Sequence, residues 1–540
     1  MTALLTDNLP LLAGAPNGIK KLRELILELA VRGKLVPQDP NDEPASELLK
    51  RIAEEKARLV SEGKVRKQKP LAEIGAEEKP FDVPTNWEWV RVAAVGHDWG
   101  QKTPDKAFTY IDVGAVDNAA GRISAPQVLM AEDAPSRARK VVRPGTVIYS
   151  TIRPYLLNVA VIEEAYEQEP IASTAFAIIH PYLEMPARYF LCYLRSPVFV
   201  RYVESVQMGI AYPAINDGQF FSGLIPLPPL AEQHRIVAKV DELMALCDRL
   251  EARQADADSA HAQLVQALLG SLTQASDAAD FAQSWQRLAE HFHTLFTTES
   301  SIDALKQTLL QLAVMGKLVP QDPSDEPASE LLKRISEKRA AGLAGRRSPK
   351  QTALSSIGPD EKSFELPSNW EWVRLQQIIS VSSGDGLVST NMKPEGGIPV
   401  YGGNGITGYH DEKNVDTETL VIGRVGYYCG SIHLTPAQAW ITDNALRVSF
   451  SEENIYKEFL YWLLKGTNLK EQENATAQPV ISGRKIYPIV IAIPPLAEQH
   501  RIVAKVDQLM ALCDQLKARL SQARQVHEQL ANALVEQAVA

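Results

Sequence analysis

The chain has 540 residues, 45% of them apolar, which is enough to fill several domain cores and excludes wholesale disorder. A formal net charge of −10 argues against a protein that coats nucleic acid without regard to sequence, although a local DNA-facing surface stays compatible with it. The cysteines Cys192, Cys247, Cys429 and Cys513 form no CxxC pair, so a zinc site is not expected and a reducing cytosol suits them. There is no basic-then-apolar leader and no apolar run near the ~20 residues of a bilayer span, so the expectation is a cytoplasmic protein with no membrane role.

Taken along the chain, apolar spacing predicts a helix over Ile19–Val31, closed near Gly33. Glu43-Pro44 opens another, with Ser46 just inside. Leu71–Asp82 reads as a linker, and the Trp87/Trp89 pair after it as the edge of a domain core. A mixed segment follows, with strands at Gly145–Ile152, Asn158–Ile162 and Ile171–Ile179, an aromatic-rich helix at Ala187–Val203 and a polar loop at Gln207–Asn216. Pro228-Pro229 then starts a long helix. Its stripe of Ile236, Val240, Leu243, Cys247 and Leu250 steps by four and three, and is expected to continue through Gln254, Ala257 and His261 to Leu264 and Leu268.

The second half repeats this plan. Helix Ile302–Val314 ends near Gly316, Glu326-Pro327 opens the next with Ser329 inside, and Leu354–Glu365 leads to Trp370/Trp372. Strands are expected at Leu420–Val425, Gly430–Leu434 and Trp440–Val448, then a helix at Ile455–Leu469 and a loop at Ala475–Arg484. A second long helix carries Ile502, Val506, Leu509, Cys513 and Leu516, continuing through Leu520, Ala523, His527, Leu530 and Leu534. Each such run of roughly 40 residues would extend ~60 Å, and two matched seams in one chain favour an antiparallel mutual pair. Seam histidines His261 and His527 read as polar register markers, and Cys247 and Cys513 as small core residues.

The repetition is close to literal. Gly33–Ile52 and Gly316–Ile335 differ only at Asn41 and Ser324, and NWEWVR recurs at Asn86 and Asn369, so both blocks return at one common offset. PPLAEQHRIVAKVD occurs at Pro228–Asp241 and again at Pro494–Asp507, at a smaller offset, so the second intervening segment is the shorter of the two. The segments between, Val92–Leu227 and Leu375–Ile493, barely resemble each other. Matching blocks present one surface twice, and divergent inserts present two different surfaces. The competing reading is a duplicated scaffold without this division of labour.

Base edges are read by Arg, Lys, Asn, Gln, Ser or Thr on projecting elements. The first insert offers Arg137, Arg139, Lys140 and Arg143, then Arg153, Tyr155, Gln207, Tyr212 and Asn216. The second offers Asn404, Thr407, Tyr409 and His410, then Arg424, Tyr427, Gln478, Ser482, Arg484 and Lys485. For each, the bland alternative is a solvated surface side chain. Gly403–Gly408 formally matches GxGxxG but lacks the helix that motif needs, and reads as a loop. There is no GxxxxGK[ST] phosphate loop, no HExxH and no [DNS]PP[YF] tetrapeptide, since Thr151-Ile-Arg-Pro-Tyr155 shares only its ending.

The doubled Pro-Pro-Leu-Ala-Glu-Gln with heptad helices behind it, the doubled Gly-Lys-Leu-Val-Pro-Gln and the doubled Asn-Trp-Glu-Trp resemble the specificity subunits of type I restriction-modification systems, along essentially the full length. The N-terminal block resembles the type IB branch in particular. The resemblance implies two α/β (α+β) target recognition domains separated by two long antiparallel coiled-coil helices, in an internal pseudo-two-fold repeat. The corresponding segments are a helical region 1–91, a first recognition domain 92–227, a central region with spacer helix 228–374, a second recognition domain 375–493 and a C-terminal spacer helix 494–540. It further implies a non-catalytic subunit that binds a bipartite, asymmetric site in double-stranded DNA. Partners would be two modification (methyltransferase) subunits and, through them, restriction (translocase and nuclease) subunits. No cofactor would sit in this chain, while S-adenosylmethionine, ATP and Mg would serve the partner subunits. The alternatives are a self-sufficient DNA adenine methyltransferase, which the missing tetrapeptide disfavours, and a coiled-coil scaffold with no DNA role.

Overall fold

The computed structural model describes residues 8–66, 71–209, 211–343, 356–467, 469 and 480–539. The chain divides into two compact units, Met1–Ala257 with Ala523–Ala540, and Asp258–Gln522. Each is built on the same plan.

In the first unit, helices Gly18–Val31 and Ala45–Ser61 precede the insert. Strand Glu88–Arg91, just ahead of the insert, pairs antiparallel with the insert's last strand, Leu224–Leu227, with Glu88 opposite Leu227. Between them lie a four-stranded and a six-stranded sheet. The strand expected over Ile171–Ile179 is two strands, Glu169–Ser173 and Phe176–Pro181, in different sheets. The expected helix Ala187–Val203 is likewise two, Ala187–Arg195 and Pro197–Val206, because Pro197 cannot continue a helix and Ser196 caps the new one.

The second unit repeats the frame. Helices Glu299–Val314 and Ala328–Leu343 lead to strand Glu371–Arg374, which pairs with Val490–Ile493, Glu371 opposite Ile493. Its insert holds a four-stranded and a three-stranded sheet, and Trp440–Val448 again splits, into Trp440–Ile441 and Ala445–Phe450. The Gly403–Gly408 stretch is a β-hairpin, Ile398–Gly402 with Gly405–His410, rather than an open loop, and no helix follows it. Gly405, at φ +81°, takes the left-handed backbone with which the chain leaves this tight turn.

The repeated sequence blocks meet in one joint, present in each unit. Glu232, fully buried behind Pro229, accepts hydrogen bonds from Trp87 Nε1 at 2.9 Å and from Gln38 Nε2. Glu498 accepts from Trp370 Nε1 at 2.9 Å and from Gln321 Nε2 at 2.7 Å. Arg235 pairs with Asp42, and Arg501 with Asp325, each at 2.6 Å. Burial raises both glutamate carboxyls above their ordinary value, while the indole and amide donors pull them back down. The QDP, NWEW and PPLAEQ blocks are therefore three sides of a single contact. Trp87 and Trp370 are core residues, each 3% exposed.

The long helices run Leu230–Gln274 and Leu496–Val539. In the first unit Ile236, Val240, Leu243 and Cys247, with Leu250 beside them, share a core with Ala531, Leu534 and Ala538. In the second, Ile502, Val506 and Cys513, with Leu509 and Leu516, share one with Val265, Leu269 and Leu272. The beginning of one helix thus meets the end of the other in each unit, the antiparallel sense. The preceding helix completes each core: Arg23 binds Asp248 and Glu251, Lys21 binds Glu528, and Lys517 binds Asp303.

The seam departs from its heptad extrapolation. Gln254 and Ala257 are exposed, as are Leu264 (53%) and Leu530 (50%), and the buried face resumes at the next position, at Val265 and Ala531. Glu251–Ala260 is exposed all round, so nothing there underwinds the helix to about 3.5 residues per turn. The spacing from Cys247 to Val265, repeated from Cys513 to Ala531, fits whole turns of an ordinary straight helix at about 3.6 residues each. His261 and His527 stand off the buried seam. Their Nε2 atoms meet the carbonyls of Thr294 (3.1 Å) and Leu11 (2.7 Å) and fasten the segment ahead of each preceding helix. All four cysteines are buried thiols outside any disulfide.

Candidate nucleic-acid interface

Each insert projects a loop from the end of a central strand. In the first unit, strand Val147–Ser150 runs out at Thr151, and the chain turns through Ile152–Leu157. Arg153 (φ 48°) and Leu157 (φ 51°) adopt left-handed backbone there, a strain of about 1–2 kcal/mol each that surrounding contacts must hold. They are held because the loop zips onto Gln207–Asn216. Ile152 and Met208 bridge to Ala214, Arg153 N–H donates to Pro213 O at 2.8 Å, and Ile215 N–H to Thr151 O at 2.9 Å. Gly209 (φ +90°) is required because a Cβ there would stand 2.8 Å from Tyr212 O. The platform exposes Ile152, Tyr155, Leu156, Met208 and Tyr212, and the Arg153 guanidinium lies 5.2 Å from the Tyr212 ring centre.

The second unit shows the same construction with other residues. Past strand Leu420–Gly423, Arg424 N–H donates to Asn444 O and Ile481 N–H to Arg424 O, both at 2.9 Å, and Val425 bridges Val480. Thr151 has the same two partners, Ala175 O and Ile215 N–H, so it is the counterpart of Arg424. The loop exposes Tyr427 (74%) and Tyr428 (55%). The Asn404 turn lies against it: a Cβ on Gly423 would meet Gly403 O at 2.2 Å, and one on Gly403 would meet Val425 O at 2.3 Å. Gly403, Asn404, Val425, Tyr427, Tyr428 and Asn444 line a cleft of ≈ 330 Å³. A larger one of ≈ 660 Å³, with His433, Tyr461 and Lys465 in its wall, opens at the same tyrosines.

The other sequence candidates divide by surroundings. Arg137 is exposed. Arg139 is half-buried and donates to Ala138 O at 2.8 Å. Lys140 is 7% exposed and pairs with Asp217 at 2.6 Å, so it holds strand Ala138–Val141 to the Asp217–Ser222 helix. Arg143 stacks on Trp99 at 4.0 Å, in front of His97 and His180. Burial lowers both histidines, His180 to about 4, so neither adds positive charge near neutral pH. Gln207 caps Pro197–Val206, and Asn216 caps Asp217–Ser222 through a reciprocal pair with Gln219. Thr407 bonds Val400 O, Tyr409 N–H bonds Lys393 O, and His410 meets Asn391 O at 3.2 Å. Arg424 Nη1 reaches Asp443 O at 3.2 Å. Ser482 starts the short Gly483–Ile486 turn, which carries exposed Arg484 and half-buried Lys485. Gln478 lies outside the described residues. Sequence reasoning passed over Ile152, Leu156, Met208 and Tyr428. Their signal was weak, large apolar residues beside turn-formers Pro154, Gly209 and Gly426.

The family described as type I restriction modification DNA specificity domain matches residues 84–257 and 367–523, more than half of the chain. The chain belongs to that family. The two matches begin just before the closing strand pair of each insert and run down each long helix. Among similar specificity subunits, that of the Escherichia coli type I enzyme EcoAI is 37% identical, over 97% of this chain and 94% of the relative. The EcoEI subunit, also from Escherichia coli, is 36% identical with the same coverage. A solved structure concerned with complex assembly and conformational transition of the type I R-M system shares the fold at a TM-score of 0.54. It is 24% identical and covers 85% of this chain and 99% of that one. As a type I specificity subunit the chain supplies DNA sequence specificity and carries no catalytic activity, which resides in other subunits of the complex. Among the described residues no His/Cys/Asp/Glu group could hold a metal ion, and no helix is long and apolar enough to cross a membrane.

Proposed function

We propose that this specificity subunit reads a bipartite, asymmetric site in duplex DNA, one half with each insert, and that its repeated helices dock two methyltransferase subunits. One observation carries the reading. Two near-identical joints frame two inserts whose projecting loops start from equivalent strands yet share no sequence. A surface present twice suits two copies of one partner, and loops that differ suit two different half-sites.

On this reading 92–227 and 375–493 are the recognition segments, 1–91 and 228–374 the frame, and 494–540 the closing helix. The length of the long helices sets the unread gap. Arg137 and the Arg153 loop face DNA in the first insert, and Asn404, Tyr427 and Arg484 do so in the second. S-adenosylmethionine is bound by the methyltransferase partners, which modify adenine N6, and ATP and Mg by restriction subunits that join through them. The complex works in the cytoplasm, where chromosomal DNA and a reducing environment coincide.

The test is to assemble the chain with its methyltransferase partner, supply labelled S-adenosylmethionine and map methylation genome-wide. One split motif is the expected result. Methyl transfer by the isolated chain, or modification without sequence preference, overturns the proposal.

A further inference from the structure

We propose that the platform of Ile152, Tyr155, Leu156, Met208 and Tyr212 is a wedge that enters between base pairs of the first half-site and unstacks one step; this rests on the function proposed above. Five large apolar side chains stand open to solvent on two loops zipped together, a patch for which a soluble surface has no use unless something covers it. The Ile152–Leu157 half of the platform is held stiffly. Two non-glycine residues are held at positive φ, and the bridges to Ala214 lock one loop to the other. A wedge needs that stiffness, since loop ordering on binding would weaken insertion.

Two observations favour DNA over a protein partner. The Arg153 guanidinium rests on Tyr212, which puts a phosphate-binding cation beside an aromatic face. The patch also lies in the divergent insert and not in the repeated blocks. In the second unit the loop at the equivalent strand end exposes Tyr427 and Tyr428 instead. A partner common to both units would meet two unlike surfaces there. Duplex offers stackable base faces at every step, so two different sets of aromatic and aliphatic residues can do the same work.

The assay uses the assembled complex of chain and methyltransferase with duplexes carrying 2-aminopurine at successive positions of the first half-site, leaving out the adenine to be methylated. The expected result is a several-fold fluorescence rise at one step with the natural chain. In Tyr155→Ala/Leu156→Ala the rise is lost and affinity falls about 5- to 150-fold, the range for deleting an aromatic–base contact. Tyr155→Phe keeps both, and unchanged melting of the variants shows intact folding. Tyr212→Ala serves as a second variant on the other loop. No rise at any position, or variants that bind and unstack like the natural chain, overturns the wedge. So does loss of methyltransferase binding with DNA affinity unchanged, which would make the patch a protein contact. Absence of any sequence preference in methylation mapping would instead remove the underlying function, so the two failures are distinguishable.

Discussion

Replacing Trp87 by phenylalanine tests whether the joint carries the energy assigned to it. The substitution removes one of two donors to a fully buried carboxylate, Trp87 Nε1 to Glu232 at 2.9 Å. A hydrogen bond to a charged group contributes about 1.5–3 kcal/mol. The smaller ring leaves a void where the indole is 3% exposed, adding about 1 kcal/mol. The expected loss is about 2.5–4 kcal/mol, or roughly 5–16 °C in melting temperature for a unit of this size. Urea and thermal unfolding of the full chain measure it, and Trp370→Phe provides a matched control because Glu498 holds the same partners. The loss also has a pH signature. Burial raises the Glu232 carboxyl, so ionising it in the folded state is costly and the Trp87 donor offsets part of that cost. Without the indole the folded pKa rises further. Stability linked to this group is then fully present below its unfolded value and falls as pH climbs through the raised one. The variant's deficit is therefore smallest in acid and largest above neutrality. A loss under about 1 kcal/mol, or one that grows toward acid pH, refutes the reasoning.

Gly33→Ala and Gly316→Ala should each destabilise by at least about 1–2 kcal/mol, because both sit near φ +70° with Pro84 or Pro367 within 2.7 Å of the added methyl; differential scanning calorimetry reads this. Lys140→Met should lower the stability of the first unit and leave the salt dependence of DNA binding unchanged, whereas Arg153→Ala should reduce the log–log salt slope by about one. Deleting four residues near Glu251 shortens the first long helix by ~6 Å and turns its ends by ~40° relative to each other. Methylation mapping should then show a changed gap or no activity. Exchanging Val92–Leu227 for a relative's insert should change one half of the motif, and changes in both halves would contradict independent readers.

Much of the frame was legible because it is written twice. The repeated blocks located the paired helices and the buried tryptophans, though not the strands that flank each insert, and the heptad spacing gave the inner face of each long helix up to Leu250. Beyond that residue extrapolation failed, since a coiled-coil repeat and a straight helix part company once no partner holds the helix wound. Inside the inserts the apolar strands from Gly145 and from Leu420 onward were readable, while earlier strands such as Phe108–Ile111 and Ile398–Gly402, and the splits at Ser173 and Ser196, were not. Candidate reading residues were chosen by polarity, which brought in Lys140 and Asn216, whose side chains serve the fold. It left out Leu156 and Met208, whose exposure comes from backbone turns that no single-residue property reports.

Each insert enters and leaves on neighbouring strands, Glu88–Arg91 beside Leu224–Leu227 and Glu371–Arg374 beside Val490–Ile493. Both cut ends of such a cassette thus lie one ladder rung apart, whatever is threaded between them. The strand pair itself does not register the cassette's length, which is how inserts of unequal length share one mount. Genetic exchange across the matching flanks would hand the enzyme a new half-motif while the joints of Trp87 with Glu232 and of Trp370 with Glu498, which lie outside the cassettes, are kept.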